Sequence, residues 1–121
     1  MRARIMIENP QLCSKQHSRG YGRNGHTFTV KSYTKAKYDL NTEVKDQLRK
    51  QSWWNPVFSK VAVRMSYRAN RMNVDNVAGF ILDALEGAAY LKDGQVDILA
   101  VKKRRKGGDW LGITLRTLEV K

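Results

Sequence analysis

The side chains best suited to chemistry in this chain are amides and carboxylates around one apolar-striped segment. Asn73, Asp75 and Asn76 stand at its start, and Asp93 follows the loop after it. Acidic residues are scarce, with 11 Asp and Glu against 23 Lys and Arg, so the net charge is +12. Carboxylate and amide oxygens are the ligands that Mg²⁺ takes in proteins. A lone acidic cluster in a basic chain therefore suggests a metal site that acts on a polyanion.

A helix cap is the alternative interpretation of Asp75. Asn and Asp accept backbone N–H bonds at helix starts, and a carboxylate suits the positive end of the helix dipole. Three polar residues in four positions exceed what one cap requires. Asp83 lies on the same helical face as Asn76, and Gly79 between them weakens the helix, which favours close approach by another group. If Asp93 returns to Asp75, a divalent cation would relieve the repulsion between their carboxylates.

The composition indicates one folded domain over residues 1–121, since 41% of the chain is apolar. The apolar runs fall far short of the roughly 20 residues that cross a membrane, and the N-terminus does not resemble a secretory signal. Cys13 is the only cysteine, which excludes an internal disulfide and favours an intracellular location. The positive charge favours nucleic acid as a partner, with an acidic membrane surface second.

Hydrophobic spacing predicts strands that alternate apolar and polar residues, and helices with an apolar stripe. The predicted strands are 3–7, 61–67, 96–100 and 111–115, the helices are 34–50 and 75–88, and 14–27 is a loop. This order indicates an α/β (α+β) domain in which two main helices pack on a mixed sheet. The last two strands are expected to pair as a hairpin around a basic tip at 102–106.

Clustered cations form the second group with a chemical role. Phosphate contacts position a nucleic acid without reading its sequence, whereas a solvated turn is the alternative for the same residues. The candidate DNA contacts are Lys102, Lys103, Arg104, Arg105 and Lys106 in the basic tip, followed by Arg71, Arg23, Arg19 and Lys15.

The aromatic and other reactive residues carry weaker signals. Trp53 and Trp54 favour a core or dimer contact over stacking on unpaired bases. His17 and His26 lack metal-ligand spacing with Cys13, and Cys13 has no orienting context for a nucleophile.

One long run resembles a known family. Residues 73–96, NVDNVAGFILDALEGAAYLKDGQV, are similar to the core signature of the RusA-type Holliday junction resolvases. That signature is an Asp-x-Asp-Asn-x-x-Lys segment, an Asp-Ala-Leu helix and an Asp-Asp-x-Gln-Val turn. The segments ENPQLCSKQHSRGYGR and VDILAVKKRRKGGDWLGITL also match the family in character, so the resemblance covers most of the chain.

The resemblance implies a RusA-like homodimer that binds branched DNA and makes paired nicks at four-way junctions, in recombination and repair. It implies Mg²⁺ as the cofactor, with Mn²⁺ as a substitute, no small-molecule cofactor and no membrane. It places the protein in the cytoplasm of a bacterium or a phage-infected host. The implied catalytic and metal-binding residues are Asp75, Asp93 and Asn73, with Asn76, Asp83 and Lys92 in secondary positions.

Three positions depart from the family pattern. Asn73 stands where the family has its first catalytic Asp, Gly79 replaces a Lys, and Lys92 replaces the first Asp of the turn. The site thereby loses about one negative charge, which should weaken Mg²⁺ binding and slow the reaction. Two rival functions remain from the sequence: a non-catalytic binder of branched DNA, and a basic RNA-binding domain.

Overall fold

The computed structural model describes residues 1–13, 19–21, 27–29, 31–69 and 72–118. Within them the helices are α1 (Lys31–Lys50) and α2 (Val74–Leu85), and a 3₁₀ turn covers Asp93–Gln95. The strands are β1 (Arg2–Glu8), β2 (Arg19–Tyr21), β3 (Thr27–Thr29), β4 (Val61–Arg68), β5 (Val96–Lys103) and β6 (Trp110–Thr117). The predicted small α+β domain with a mixed sheet and two helices is confirmed.

The main sheet has the strand order β1-β6-β4-β5. β6 is antiparallel to both β1 and β4, whereas β5 runs parallel to β4 at the edge. A parallel pair needs a crossover connection, which α2 supplies. The predicted hairpin of the last two strands is wrong, because β4 lies between β5 and β6. Alternating residues show which face of a strand is buried, but they do not identify its neighbour.

Several predicted boundaries shift. Helix α1 begins three residues earlier than predicted, and α2 ends at Leu85 instead of residue 88. The helix stops because Glu86 is extended and Gly87 takes a φ of +80°, although Ala88 remains buried in the turn that follows. The interpretation of 14–27 as a loop is wrong in part, since β2 and β3 pair as a small antiparallel sheet. The rest of that segment lies outside the described residues.

The core lies between both helices and one face of the main sheet. Helix α1 buries one stripe, and β1, β6 and β4 turn alternate side chains toward it. The buried residues of the stripe are Tyr33, Ala36, Leu40, Val44 and Leu48. In the described part of the chain, no helix is both long and apolar enough to cross a membrane.

The two edges of the main sheet differ. At the β1 edge, the Gln47 side chain accepts a hydrogen bond from the Met6 N–H at 3.0 Å and donates to its carbonyl at 2.8 Å. Gln51 does the same for Arg4, at 2.8 and 2.7 Å. These two amides occupy the backbone groups that a further strand would need. The β5 edge has no such cover among the described residues, and residues 97–100 are exposed on both faces.

Candidate active site

The start of α2 presents Asn73 and Asp75 to solvent. Asn73 is the N-cap residue, and its carbonyl accepts the Val77 N–H at 3.1 Å, but its side chain makes no capping hydrogen bond. The Tyr67 hydroxyl donates to the Met72 carbonyl at 2.9 Å and thus holds the segment that enters the helix. Burial raises the pKa of Tyr67, and the negative charge of nearby Asp75 raises it further. Since the Asn73 side chain makes no capping hydrogen bond, its amide does not cap the helix.

Three carboxylates meet at the other end of α2. Asp83, Glu86 and Asp93 each place an oxygen within 4.8 Å of the others. The pKa of Tyr90 is raised by its burial and then by the charges of Glu86, Asp93 and Asp83. Carboxylates at this spacing repel one another, and a hard divalent cation relieves that repulsion. The donor set therefore fits a hard divalent cation.

The side chain of Gln95 fixes the turn that carries Asp93. Its amide oxygen accepts the N–H groups of Leu91 and Lys92, both at 2.9 Å. Its amide nitrogen donates to the carbonyls of Val57 at 2.8 Å and Ser59 at 2.9 Å. These four hydrogen bonds give the Gln of the Gln-Val signature a structural role, because they tie the turn to the loop before β4.

One contact with α1 and one with the turn that carries Asp93 also hold the acidic end of α2 in place. The Tyr33 hydroxyl on α1 donates to Asp83 at 2.5 Å, and the Tyr33 ring meets Phe80 edge-on with centroids 5.4 Å apart. The Glu86 carboxylate accepts the Asp93 N–H at 3.1 Å. These contacts orient the carboxylates before any cation binds.

The structure does not bring Asp75 and Asp93 together within one chain. Helix α2 returns along β4, so Asp75 lies at the C-terminal end of β4, while Val96 after Asp93 pairs with Val61 at its N-terminal end. Asp75 and Asp83 are eight residues apart in the helix, which is about 12 Å along its axis. The cluster at Asp93 consists instead of residues from its own end of the helix.

The secondary positions lie near the two ends of α2. Asn76 is half-buried on α2, and Lys92 is exposed next to Asp93. Sequence reasoning missed Glu86, although its spacing of three residues from Asp83 places both on one helical face. This spacing could have identified Glu86. The predicted helix extended beyond Glu86, however, so its position at the turn was not recognised.

The predicted DNA contacts are described in part. Residues 102–106 are all exposed at the same end of the sheet as Asp75, where Lys102 and Lys103 end β5 and residues 104–106 follow it. Arg19 lies in β2, whereas Lys15, Arg23 and Arg71 lie outside the described residues, as do His17 and His26.

A second cationic surface was not predicted. The sheet face that points away from the helices, called the open face here, carries exposed Arg2, Arg4, Arg64 and Arg116. Arg2 stands directly opposite Arg116 across β1 and β6, and like charges in that position repel. These four side chains line a groove of about 580 Å³, and none forms an ion pair with a described residue.

The two tryptophans have different environments. Trp53 is 1% exposed, and its ring nitrogen donates to the Ala89 carbonyl at 3.1 Å, so it is a core residue. Trp54 is 66% exposed. Burial raises the pKa of Cys13, which disfavours its reactive thiolate.

A small basic domain with paired carboxylates and exposed cations has the features of a metal-dependent enzyme acting on nucleic acid. The family model described as Endodeoxyribonuclease RusA matches residues 10–116. The chain therefore belongs to the RusA family of endodeoxyribonucleases, and the resemblance to RusA-type Holliday junction resolvases is confirmed. A comparison with curated proteins found no match.

Proposed function

We propose that the protein is a divalent-metal-dependent endonuclease that resolves four-way DNA junctions by paired symmetric nicks. The observation that carries this proposal is the family match over residues 10–116, which includes every acid of the candidate site. The net charge of +12 suits a DNA substrate. The setting would be recombination or repair in the cytoplasm of a bacterium or a phage-infected cell.

Asp75, Asp93 and Asn73 are the proposed ligands of Mg²⁺, for which Mn²⁺ can substitute; because one chain holds Asp75 and Asp93 apart, the proposed enzyme is the homodimer that the family implies, in which a second chain supplies Asp93. When bound, the cation would activate water and stabilise the negative charge that develops on the phosphodiester. Asp75 and Asp93 supply carboxylate oxygens, and Asn73 supplies a neutral oxygen from a side chain that caps no backbone group. The Glu86 carboxylate holds the Asp93 backbone by accepting its N–H, and Asp83 and Glu86 together raise the negative charge around Asp93.

Asn73 makes this site weaker than one with three carboxylates. An amide oxygen ligates a hard cation but adds no charge, so metal affinity and cleavage rate should both be lower. Lys92, next to Asp93, lowers the local negative charge further. We therefore expect the enzyme to need a higher Mg²⁺ concentration than an Asn73→Asp variant.

Two surfaces are proposed to contact DNA. The exposed cations at 102–106 lie at the Asp75 end of the sheet, where they can hold the backbone beside the site. The four open-face arginines can hold a duplex arm that leaves the branch point, because a junction has four arms. Both sets would bind phosphates without reading sequence.

The proposed function is tested by incubating a labelled four-way junction, a linear duplex of the same sequence and an RNA hairpin with the protein. Mg²⁺, Mn²⁺ and EDTA are compared. Metal-dependent nicking confined to the junction supports the proposal. Junction binding without cleavage in either metal would indicate a non-catalytic binder. Equal binding of all three substrates would contradict junction specificity, and preference for the hairpin would indicate an RNA-binding domain.

A further inference from the structure

The loop before β4 presents an aromatic side chain to solvent from a fixed backbone. Phe58 is 85% exposed, more than any other large apolar side chain in the described part of the chain. The backbone is held on both sides of it, because the Gln95 amide donates to the carbonyls of Val57 at 2.8 Å and Ser59 at 2.9 Å. The Val57 N–H also donates to the Ala89 carbonyl at 3.0 Å. The loop is therefore fixed in a position that leaves the Phe58 ring in solvent.

The same amide joins Phe58 to the turn that carries Asp93. The oxygen of Gln95 accepts the N–H groups of Leu91 and Lys92, so one side chain ties the loop and the turn into one hydrogen-bonded unit. A single exposed apolar side chain is ordinary on a protein surface. An exposed ring that is fixed to the same unit as a proposed metal ligand, however, lies close to where the substrate is cleaved.

Lys60 places a cation at the same turn. Its Nζ lies 3.4 Å from the Gly94 carbonyl oxygen and 3.7 Å from the Asp97 carboxylate. Both charged side chains are about half exposed, and an exposed ion pair of this length is weak, so a phosphate can compete for the ammonium group. The Leu118 N–H fixes the backbone here by donating to the Lys60 carbonyl at 2.8 Å. The loop thus offers a ring that can stack on a base and a cation that can contact a phosphate.

The proposed substrate identifies which base the Phe58 ring can reach. Inside a duplex the faces of a base are covered by its neighbours, whereas the stack is interrupted at the branch point of a four-way junction. A base whose stacking or pairing is already disrupted costs least to expose. Stacking tolerates any sequence, because every base has a π-face. This contact therefore suits a protein whose other proposed DNA contacts are phosphates.

We propose that Phe58 stacks on a base exposed at the branch point, next to the phosphodiester at the metal site, and that this contact favours branched over linear DNA. Lys60 holds the adjoining phosphate. The inference rests on the proposed function for the position of the metal site. In the proposed homodimer each loop moves with the Asp93 of its own chain, so each site receives one Phe58 ring.

Binding in EDTA tests the stacking without cleavage. Phe58→Ala should lower the affinity for a four-way junction about tenfold, because a stacked base contact is lost, and should leave the affinity for a linear duplex unchanged. Phe58→Trp should bind the junction like the wild type. Phe58→Leu keeps an apolar side chain without a ring and should bind like Phe58→Ala. Tyr38→Ala is the matched control and should bind like the wild type, since Tyr38 is an aromatic on α1 that is 69% exposed.

Three results of this series would overturn the inference. Equal losses for junction and duplex would make Phe58 a general DNA contact. Full junction affinity of Phe58→Leu would show that the ring does not stack. A lower dimer fraction of Phe58→Ala, measured by mass in solution, with a matching loss of junction affinity, would make Phe58 a dimer contact. Circular dichroism of each variant checks that the fold persists.

Photo-cross-linking locates the base that Phe58 contacts. Iodouracil replaces one thymine, either at the branch point or one helical turn into an arm, and irradiation joins it to an aromatic ring stacked on it. Mass spectrometry should find Phe58 joined to the branch-point base and not to the base in the arm. A branch-point cross-link at Trp54 instead, or none at Phe58, would overturn the inference.

The outcomes separate this inference from the proposed function. If the wild type nicks and prefers junctions, and Phe58→Ala does so equally, the stacking is wrong and the proposed function stands. If the wild type shows no preference for the junction over the duplex, the proposed function fails, and the selective role of Phe58 fails with it. The cross-link then decides the stacking alone, because it requires neither metal nor cleavage.

Discussion

The Tyr33 hydroxyl donates a 2.5 Å hydrogen bond to the Asp83 carboxylate, and this contact joins α1 to the acidic end of α2. Tyr33 is buried, and Asp83 is one of the two carboxylates that lie beside Asp93. A contact between the two helices therefore also orients a group in the candidate site. Helix packing and site geometry are coupled at this position.

Tyr33→Phe removes that hydrogen bond while it keeps the ring against Phe80. A hydrogen bond to a charged group contributes about 1.5–3 kcal/mol, so the free energy of unfolding should fall by that amount. Urea denaturation of the purified protein measures it. Tyr38→Phe on the same helix is the control, since Tyr38 is exposed. Equal stability of the two variants would show that the Asp83 contact contributes little.

Stability should fall above pH 10 because burial raises the pKa of Tyr33, Tyr67 and Tyr90 above their ordinary value of 10.0. The unfolded chain loses these protons first, so the stabilisation is complete below pH 10 and declines as the pH rises. Each tyrosine that stays protonated when folded contributes a loss of about 1.4 kcal/mol per pH unit. Thermal melts from pH 8 to 11 measure the decline.

Tyr90→Phe is the variant that checks this origin of the pH dependence. It should make the alkaline decline shallower without abolishing it, because Tyr33 and Tyr67 still contribute. A Tyr90→Phe protein with the same alkaline decline as the wild type would assign the effect to other groups.

The open face should bind DNA backbone through its four exposed arginines. Arg64→Gln with Arg116→Gln removes two charges, so log affinity for duplex DNA should fall less steeply with log salt, by about 1.8 in slope. Binding is measured in EDTA across a salt series. Lys45→Gln with Lys50→Gln makes the same charge change at exposed positions of α1, away from the open face. The same slope change in both pairs would indicate an effect of net charge alone.

Trp53 and Trp54 should behave oppositely despite their adjacency. Trp53→Ala opens the core and should cost about 3–5 kcal/mol of stability, whereas Trp54→Ala should cost little. Chemical denaturation measures both. Junction affinity in EDTA then tests whether exposed Trp54 also stacks on DNA, because loss of a stacked base contact costs about 1–3 kcal/mol of binding. Equal destabilisation by the two substitutions would contradict the structure.

The elements of this fold were largely readable from sequence because burial imposes a period. The stripe Leu40, Val44 and Leu48 predicted α1, and the alternation from Val61 to Tyr67 predicted β4. Strand order was not readable, since β6 alternates in the same way whichever strand it joins. For that reason the predicted hairpin was wrong, although both of its strands exist.

The candidate site, too, could be predicted from the sequence only in part. Signature spacing identified Asp75 and Asp93, but only the parallel register of β4 and β5 shows that they stand at opposite ends of one chain. Arg2, Arg64 and Arg116 are ordinary strand residues in the sequence. Their common face depends on pairings between distant segments, which no local pattern records.

The most direct experiment is the cleavage of a four-way junction with label on two opposing strands, in Mg²⁺, by the wild-type protein and by Asp93→Asn and Asn73→Asp. We expect symmetric nicks in both strands from the wild type, none from Asp93→Asn, and faster nicking at lower Mg²⁺ from Asn73→Asp. Binding in EDTA should be similar for the wild type and Asp93→Asn. Undiminished cleavage by Asp93→Asn would contradict the proposed metal site.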